Sequence, residues 1–223
     1  HVVGVRDSSR TELDGGLWLA DAAQAEREGS GIHRDAGATL RWSASGFRQA
    51  ARRVADAVPG QGLAAWGAAL HAALLAGALT RSFELTLQYC NERVQFGKSI
   101  GKFQAIQQQL AVMAEHVAAA RMAAAGAFAA GARVPSLLPA AVAKGRASEA
   151  VTVAAPIAHA VHGAIGVTEE YELQLFTRRL HAWRLAHGSE GHWHRIVGEA
   201  LLARASTRAR EFVRHLQAAC GGV

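Results

Sequence analysis

The spacing of apolar and polar positions changes character early in the chain. Up to about residue 45 the apolar segments are short: Val2 to Val5, Leu17 to Leu19 and Ala38 to Trp42. Asp14-Gly15-Gly16 and Gly29-Ser30-Gly31 separate them as turns. This region reads as β-type, with too few strands to close a sheet alone. After about residue 46 the period lengthens to that of a helix. Pro59-Gly60 marks a break, and a long helix is expected from Leu63 to Arg93, with Leu70, Leu74, Leu75, Leu79, Phe83 and Leu87 as its apolar positions. A turn at Gly97 to Gly101 leads into a second helix from Phe103, with Ile106, Leu110, Met113 and Val117 on one face, ended by Gly131 to Pro135. A third covers Leu138 to Val161, with Pro156 as an expected kink. After a glycine turn at Gly163 to Gly166, Thr168 is positioned to N-cap a short helix through Trp183, with Glu169 and Glu170 where the helix dipole favours acids. Gly188-Ser189 opens a last helix toward Ala218. Long helices with short links make an antiparallel α-helical bundle behind a short β-containing N-terminal remnant.

Composition sharpens this picture. Half of the 223 residues are hydrophobic and only 6% are aromatic. Alanine supplies much of the apolar fraction, so the helices should approach closely rather than interlock bulky side chains. The net charge of +6 would suit a polyanionic ligand such as a dinucleotide or coenzyme A. The basic residues are scattered among acids, which argues against nucleic acid as the partner. Two cysteines, Cys90 and Cys220, make no disulfide or metal framework and fit a reducing cytoplasm. The run from Leu63 to Leu79 is interrupted by His71 and falls short of the roughly 20 apolar residues of a membrane span. The chain opens on His1 in what reads as the middle of a strand, so a preceding portion is expected.

Two stretches carry a family resemblance. The first is Tyr89-Cys90-Asn91-Glu92-Arg93-Val94-Gln95-Phe96-Gly97-Lys98-Ser99-Ile100, continuing through Phe103-Gln104-Ala105-Ile106-Gln107. The second runs from His162-Gly163-Ala164-Ile165-Gly166 to Tyr171, Arg178-Arg179 and Gly188-Ser189. In order and separation they resemble the C-terminal domain of acyl-CoA dehydrogenases, over about residues 60 to 215. The resemblance implies residues 1–45 as the end of a middle β domain and residues 46–223 as the C-terminal helical bundle. It also implies FAD as cofactor, an acyl-CoA substrate, and either a homo-oligomer or a heteromeric dehydrogenase partner. The residues matching its flavin contacts are Arg93, Gln95, Phe96, Gln104, Gly163 and Ser189, of which the Arg93 and Gly163 groups face a neighbouring subunit's cofactor. Read without the family, Arg93 is either a phosphate clamp or a surface charge favoured at a helix C-terminus.

The pattern breaks at the catalytic base. Most of the family places a glutamate just before the Gly-Ser that opens the last helix, and here that residue is His187. A minority branch places it on the first long helix, where Gly67 matches. The acid and arginine that engage coenzyme A early in that helix are replaced within Ala64-Ala65-Trp66-Gly67-Ala68. Three explanations stay open: a partner supplies the base, His187 is the base, or the chain is a non-catalytic relative acting as a binding or structural subunit, DNA-binding included. Glu190 is a further carboxylate nearby, with helix-dipole stabilisation as its simpler role. The irregular spacing of His187, His192 and His194 argues against a metal site. Gly60-Gln61-Gly62 reads as a helix start rather than a phosphate loop.

Overall fold

The computed structural model describes residues 2–4, 17–28, 39–55, 62–129, 135–203, 211 and 214. They fall into two compact units, residues 1–64 and 65–223. The turns expected at Asp14 to Gly16 and at Gly29 to Gly31, the stop at Gly131 to Val134 and the helix end near Ala218 lie outside the described residues.

In the first unit, β1 (Val2–Gly4), β2 (Leu17–Ala20) and β5 (Ala51–Ala55) form an antiparallel sheet with β2 central. A separate pair joins β3 (Glu26–Glu28) to β4 (Thr39–Arg41). The helix α1 (Ala44–Ala50) starts where the Ser43 hydroxyl accepts the Gly46 N–H at 3.0 Å. Helical periodicity was expected to persist from residue 46, but α1 stops at Ala51 and the chain becomes β5. The reason is tertiary: Ala51 to Ala55 find ladder partners on β2, with Leu19 opposite Arg52 and Ala20 opposite Ala51. Phe47 is buried and meets Trp18 and Trp42 in T-shaped contacts with ring centroids 5.9 and 6.1 Å apart.

The second unit is a helical bundle of α2 (Gly62–Glu92), α3 (Gln104–Gly126), α4 (Leu137–His162), α5 (Leu173–Leu185) and α6 (Glu190–Leu202). Its centre is α4, which packs against α3, α5 and α6. The core is largely alanine: Ala65, Ala68, Ala69 and Ala72 of α2 and Ala143, Ala147, Ala150 and Ala154 of α4 are buried in one cluster with Leu75, Leu79, Met113 and Val117. This changes the expected face of α2. Leu75 and Leu79 are inside, but Leu70, Leu74 and Leu87 are exposed, because the small residues make the contact and the leucines on the neighbouring stripe are left out. Both α2 and α4 are long and apolar enough to cross a membrane by length and composition, more so than the Leu63 to Leu79 run alone suggests. In the bundle both contribute buried alanines to the same cluster.

The expected cap at Thr168 is not formed. Its hydroxyl donates back to the Ile165 carbonyl at 2.9 Å, closing a 3-10 turn over Gly163–Val167. The helix α5 begins later, after Glu172, so Glu169 and Glu170 lie in the exposed turn before it. The helix α4 continues through Pro156.

Candidate functional site

The first motif builds an exposed corner at the end of α2. Arg93 N–H closes the last helical turn on Tyr89 O at 2.9 Å, and Ile100 N–H donates to Arg93 O at 2.9 Å. Between them β6 (Val94–Gln95) and β7 (Lys98–Ser99) form a minimal hairpin, with Gln95 opposite Lys98. Its two-residue tip, Phe96 and Gly97, has φ of 51° and 78°. Positive φ at both tip positions suits the right-handed twist of a hairpin. It is natural for Gly97 and costly for Phe96, by about 1–3 kcal/mol for a strained non-glycine residue. The strained side chain is not buried in compensation: Phe96 is 90% exposed, with its ring perpendicular to that of Phe103 at 6.2 Å. Lys98 Nζ sits 4.3 Å over the Phe103 ring. Arg93, Gln95 and Gln104 are exposed too. Gln104 opens α3, whose N-cap Phe103 offers no side-chain cap and accepts the Ile106 and Gln107 N–H groups on its carbonyl at 3.0 Å, so the positive end of the helix dipole lies at this corner.

The second motif joins this corner through aromatic packing. His162, at the end of α4, stacks on Tyr89 with centroids 4.5 Å apart and meets Tyr171 at 5.0 Å. The His162 Nδ1–H donates to Ala158 O at 2.8 Å. Burial holds its pKa below the ordinary imidazole value. Arg81 of α2 pairs with Glu172 at 2.8 Å. Gly163 follows with φ 65°, which a side chain would rarely adopt. Two stretches some 70 residues apart in sequence therefore meet at one end of α2, and Arg93, Gln95, Phe96, Gln104 and Gly163 belong to that end.

His187 and Ser189 lie elsewhere, in the link between α5 and α6. The imidazole of His187 packs directly on Gly67: a Cβ added there would fall 2.4 Å from His187 Nδ1. Gly67 and His187, the two positions where the family places its base, are thus one place in space, and the glycine makes room for the imidazole. His71, one turn along α2, has its ring 4.7 Å from that of His187 and donates from Nδ1 to Gly67 O at 2.9 Å. His187 has φ 55° and is exposed, with its inner edge against α2. Burial of that edge, then the nearby Lys144 cation, hold its pKa below the usual imidazole value, so it is neutral at neutral pH. From Gly67 to Arg93 the helix rises about 39 Å at 1.5 Å per residue. The sequence-derived site residues therefore split into two groups at opposite ends of one helix.

Glu190 is not a free carboxylate. Arg184 Nε donates to its Oε2 at 2.9 Å and Arg184 Nη2 to its Oε1. This fork holds the Glu190 pKa below the usual carboxylate range. His192 packs on Trp193 and Gly188, and His194 lies over Gly145.

A residue that the motifs did not single out sits beneath the link. Lys144 of α4 is fully buried, and its Nζ donates to Arg184 O at 2.8 Å, Gly188 O at 2.9 Å and Ser148 Oγ at 2.9 Å. All three ammonium donors are used. Its signal in the sequence was a lone lysine inside the alanine run of α4.

Comparison with known proteins places these features in a lineage. The profile of the acyl-CoA dehydrogenase C-terminal domain matches residues 60–202. Acyl-CoA dehydrogenase IpdE2 of Mycolicibacterium smegmatis is 39% identical over 138 residues, 58% of this chain and 43% of that protein. This chain thus spans less than half the length of that relative. Among solved structures, a variant of the Tcur3481-Tcur3483 steroid ACAD superposes with a TM-score of 0.75 at 25% identity, over 86% of this chain and 53% of that one. The ChsE4-ChsE5 complex from Mycobacterium tuberculosis superposes with a TM-score of 0.61 at 28% identity, over 67% of this chain and 40% of that one. With a family profile covering most of its length and a bundle that superposes on these structures, the chain belongs to the acyl-CoA dehydrogenase family and carries its C-terminal helical domain.

Proposed function

We propose that this chain is a component of a cytoplasmic FAD-dependent oxidoreductase that dehydrogenates an acyl-CoA thioester between its α and β carbons. The Arg93 corner is read as one wall of a flavin site completed by another chain. The observation that carries this is the strained, exposed Phe96 beside Arg93. A bulky residue held at positive φ with its ring in solvent gains nothing from its own fold. The donors around it suit a dinucleotide: a guanidinium for the pyrophosphate, the Gln95 and Gln104 amides, and the N-terminal end of α3. The Gly163 bend would let backbone pass close to the same ligand. Bound FAD would accept the hydride from the β carbon.

The second group, about 39 Å away along α2, cannot serve the same cofactor. Ser189 and His187 are assigned to a site at the other end of the chain, with His187 at the reacting end. A neutral imidazole has a lone pair for the α proton. Its depressed basicity and the engagement of Glu190 by Arg184 favour a second reading, in which a partner chain brings the carboxylate. Two solved structures similar to this chain carry two names each, the Tcur3481-Tcur3483 steroid ACAD and the ChsE4-ChsE5 complex, which supports a heteromeric assembly here. The test is co-expression of the full gene product with its partner chain. A visible flavin spectrum and acyl-CoA turnover are expected. His187→Ala should abolish turnover and leave flavin bound if the imidazole is the base, and should spare turnover if the partner supplies it. A colourless, inactive assembly would overturn the dehydrogenase reading and leave a binding or structural subunit.

A further inference from the structure

The link between α5 and α6 is more heavily tied than a surface turn needs to be. Within Arg184 to Glu190, two consecutive residues hold positive φ, 55° at His187 and 97° at Gly188. Trp193 Nε1–H donates to His187 O at 2.9 Å. The Arg184–Glu190 fork spans the link from end to end. From beneath, Lys144 donates to carbonyls on both sides of His187, at Arg184 and Gly188. Gly145, the next residue on α4, is buried against His194 and Trp193, where a Cβ would fall 2.6 Å from His194 Cδ2. The small residue lets α4 approach closely enough for the lysine to reach through. A buried ammonium is expensive, and hydrophobic residues of similar volume would fill the space at less cost. What the lysine supplies in return is directional: three fixed donors that define where the link can lie.

We propose that Lys144 is the positioning residue of this site, holding His187 against Gly67 and His71 by clamping the carbonyls that flank it. This rests on the reading of His187 as the group at the reacting end, but its geometry can be tested without turnover. The charged groups that face Lys144 are Glu190 and Arg184, with His187 at the edge of the same cluster. Its pKa is pushed down to about 8, chiefly by burial, so opening of the link, which would return the lysine to water, becomes less favourable as pH rises past that value.

The experiment is hydrogen exchange by mass spectrometry on the assembled protein, comparing wild type with Lys144→Met and Gly67→Ala. Lys144→Met should raise exchange in the peptide covering residues 184–190 by about tenfold or more, with α2 and α3 unchanged. Gly67→Ala should displace the ring from the other side and leave the clamp and its protection intact. Both should alter the pH profile of kcat with little change in KM, whereas a merely structural lysine would lower stability and leave the profile in place. Should Lys144→Met not assemble, the wild type decides alone: after correction for intrinsic rates, exchange in 184–190 should fall relative to α3 as pH rises from about 8 to 10. Uniform exchange across α4 to α6, or a link unaffected by the substitution and by pH, overturns the proposal. If His187→Ala leaves turnover untouched, the catalytic reading fails while the exchange result still judges the clamp.

Discussion

The two ends of α2 solve opposite problems. At the Arg93 end the chain displays polar and aromatic groups that its own fold leaves in solvent, on a hairpin with a strained tip. At the Gly67 end the link above Lys144 is tied internally, with a guanidinium–carboxylate fork, an indole N–H and an ammonium all engaged. On the proposed reading the first arrangement is completed by a flavin and another chain, whereas the second is a self-sufficient mount for a single imidazole. Substitutions at the first end should therefore move ligand affinity and spare the fold. Substitutions at the second should move stability and geometry together.

The largest stability effect is expected at Trp193, buried to 1% exposure with its N–H on His187 O. Trp193→Ala should cost about 3–5 kcal/mol in urea denaturation, and a loss under 1 kcal/mol would show the link to be mounted otherwise. Next comes Lys144. Its folded pKa of about 8 lies below the ordinary 10.5, so between these values the unfolded chain binds more protons than the folded one. Stability should rise with pH across that window by about 3 kcal/mol, and Lys144→Met should flatten the rise. At the other end, Phe96→Gly should relieve the left-handed strain and stabilise the chain by about 1 kcal/mol while weakening flavin binding. A variant that weakens both, or neither, would erase the contrast between the two ends. The smallest effect concerns acid. His159, His162 and His187 all have pKa values lowered mainly by burial, so the stability they allow is present above the ordinary imidazole pKa and lost as pH falls below it. His162→Phe, which keeps the ring against Tyr89, should make the urea midpoint less sensitive to pH between 7 and 5.

Much of the bundle was legible in the sequence because long helices announce themselves by period and punctuation. The expected Leu63 to Arg93 and Leu138 to Val161 helices appear as Gly62–Glu92 and Leu137–His162. Which stripe of α2 faces inward was not legible. In an alanine-rich helix several stripes are apolar, and the choice falls to the tertiary packing of the whole bundle. Thr168 illustrates a local limit, since the same hydroxyl can cap the helix ahead or close the turn behind. The convergence of Gly67 and His187 illustrates a long-range one. Each position was identified separately, but their contact across 120 residues is a product of tertiary packing, as is the burial of Lys144.

The central claim is that the Arg93 corner binds a flavin shared with another chain, and the affinity of the assembled protein for FAD measures it most directly. The account predicts that Arg93→Ala weakens FAD binding by about ten- to a hundredfold, with Arg93→Lys recovering only part because a point charge lacks the fork, and with the helical circular dichroism and assembly size unchanged. FAD affinity equal to wild type in Arg93→Ala would contradict it.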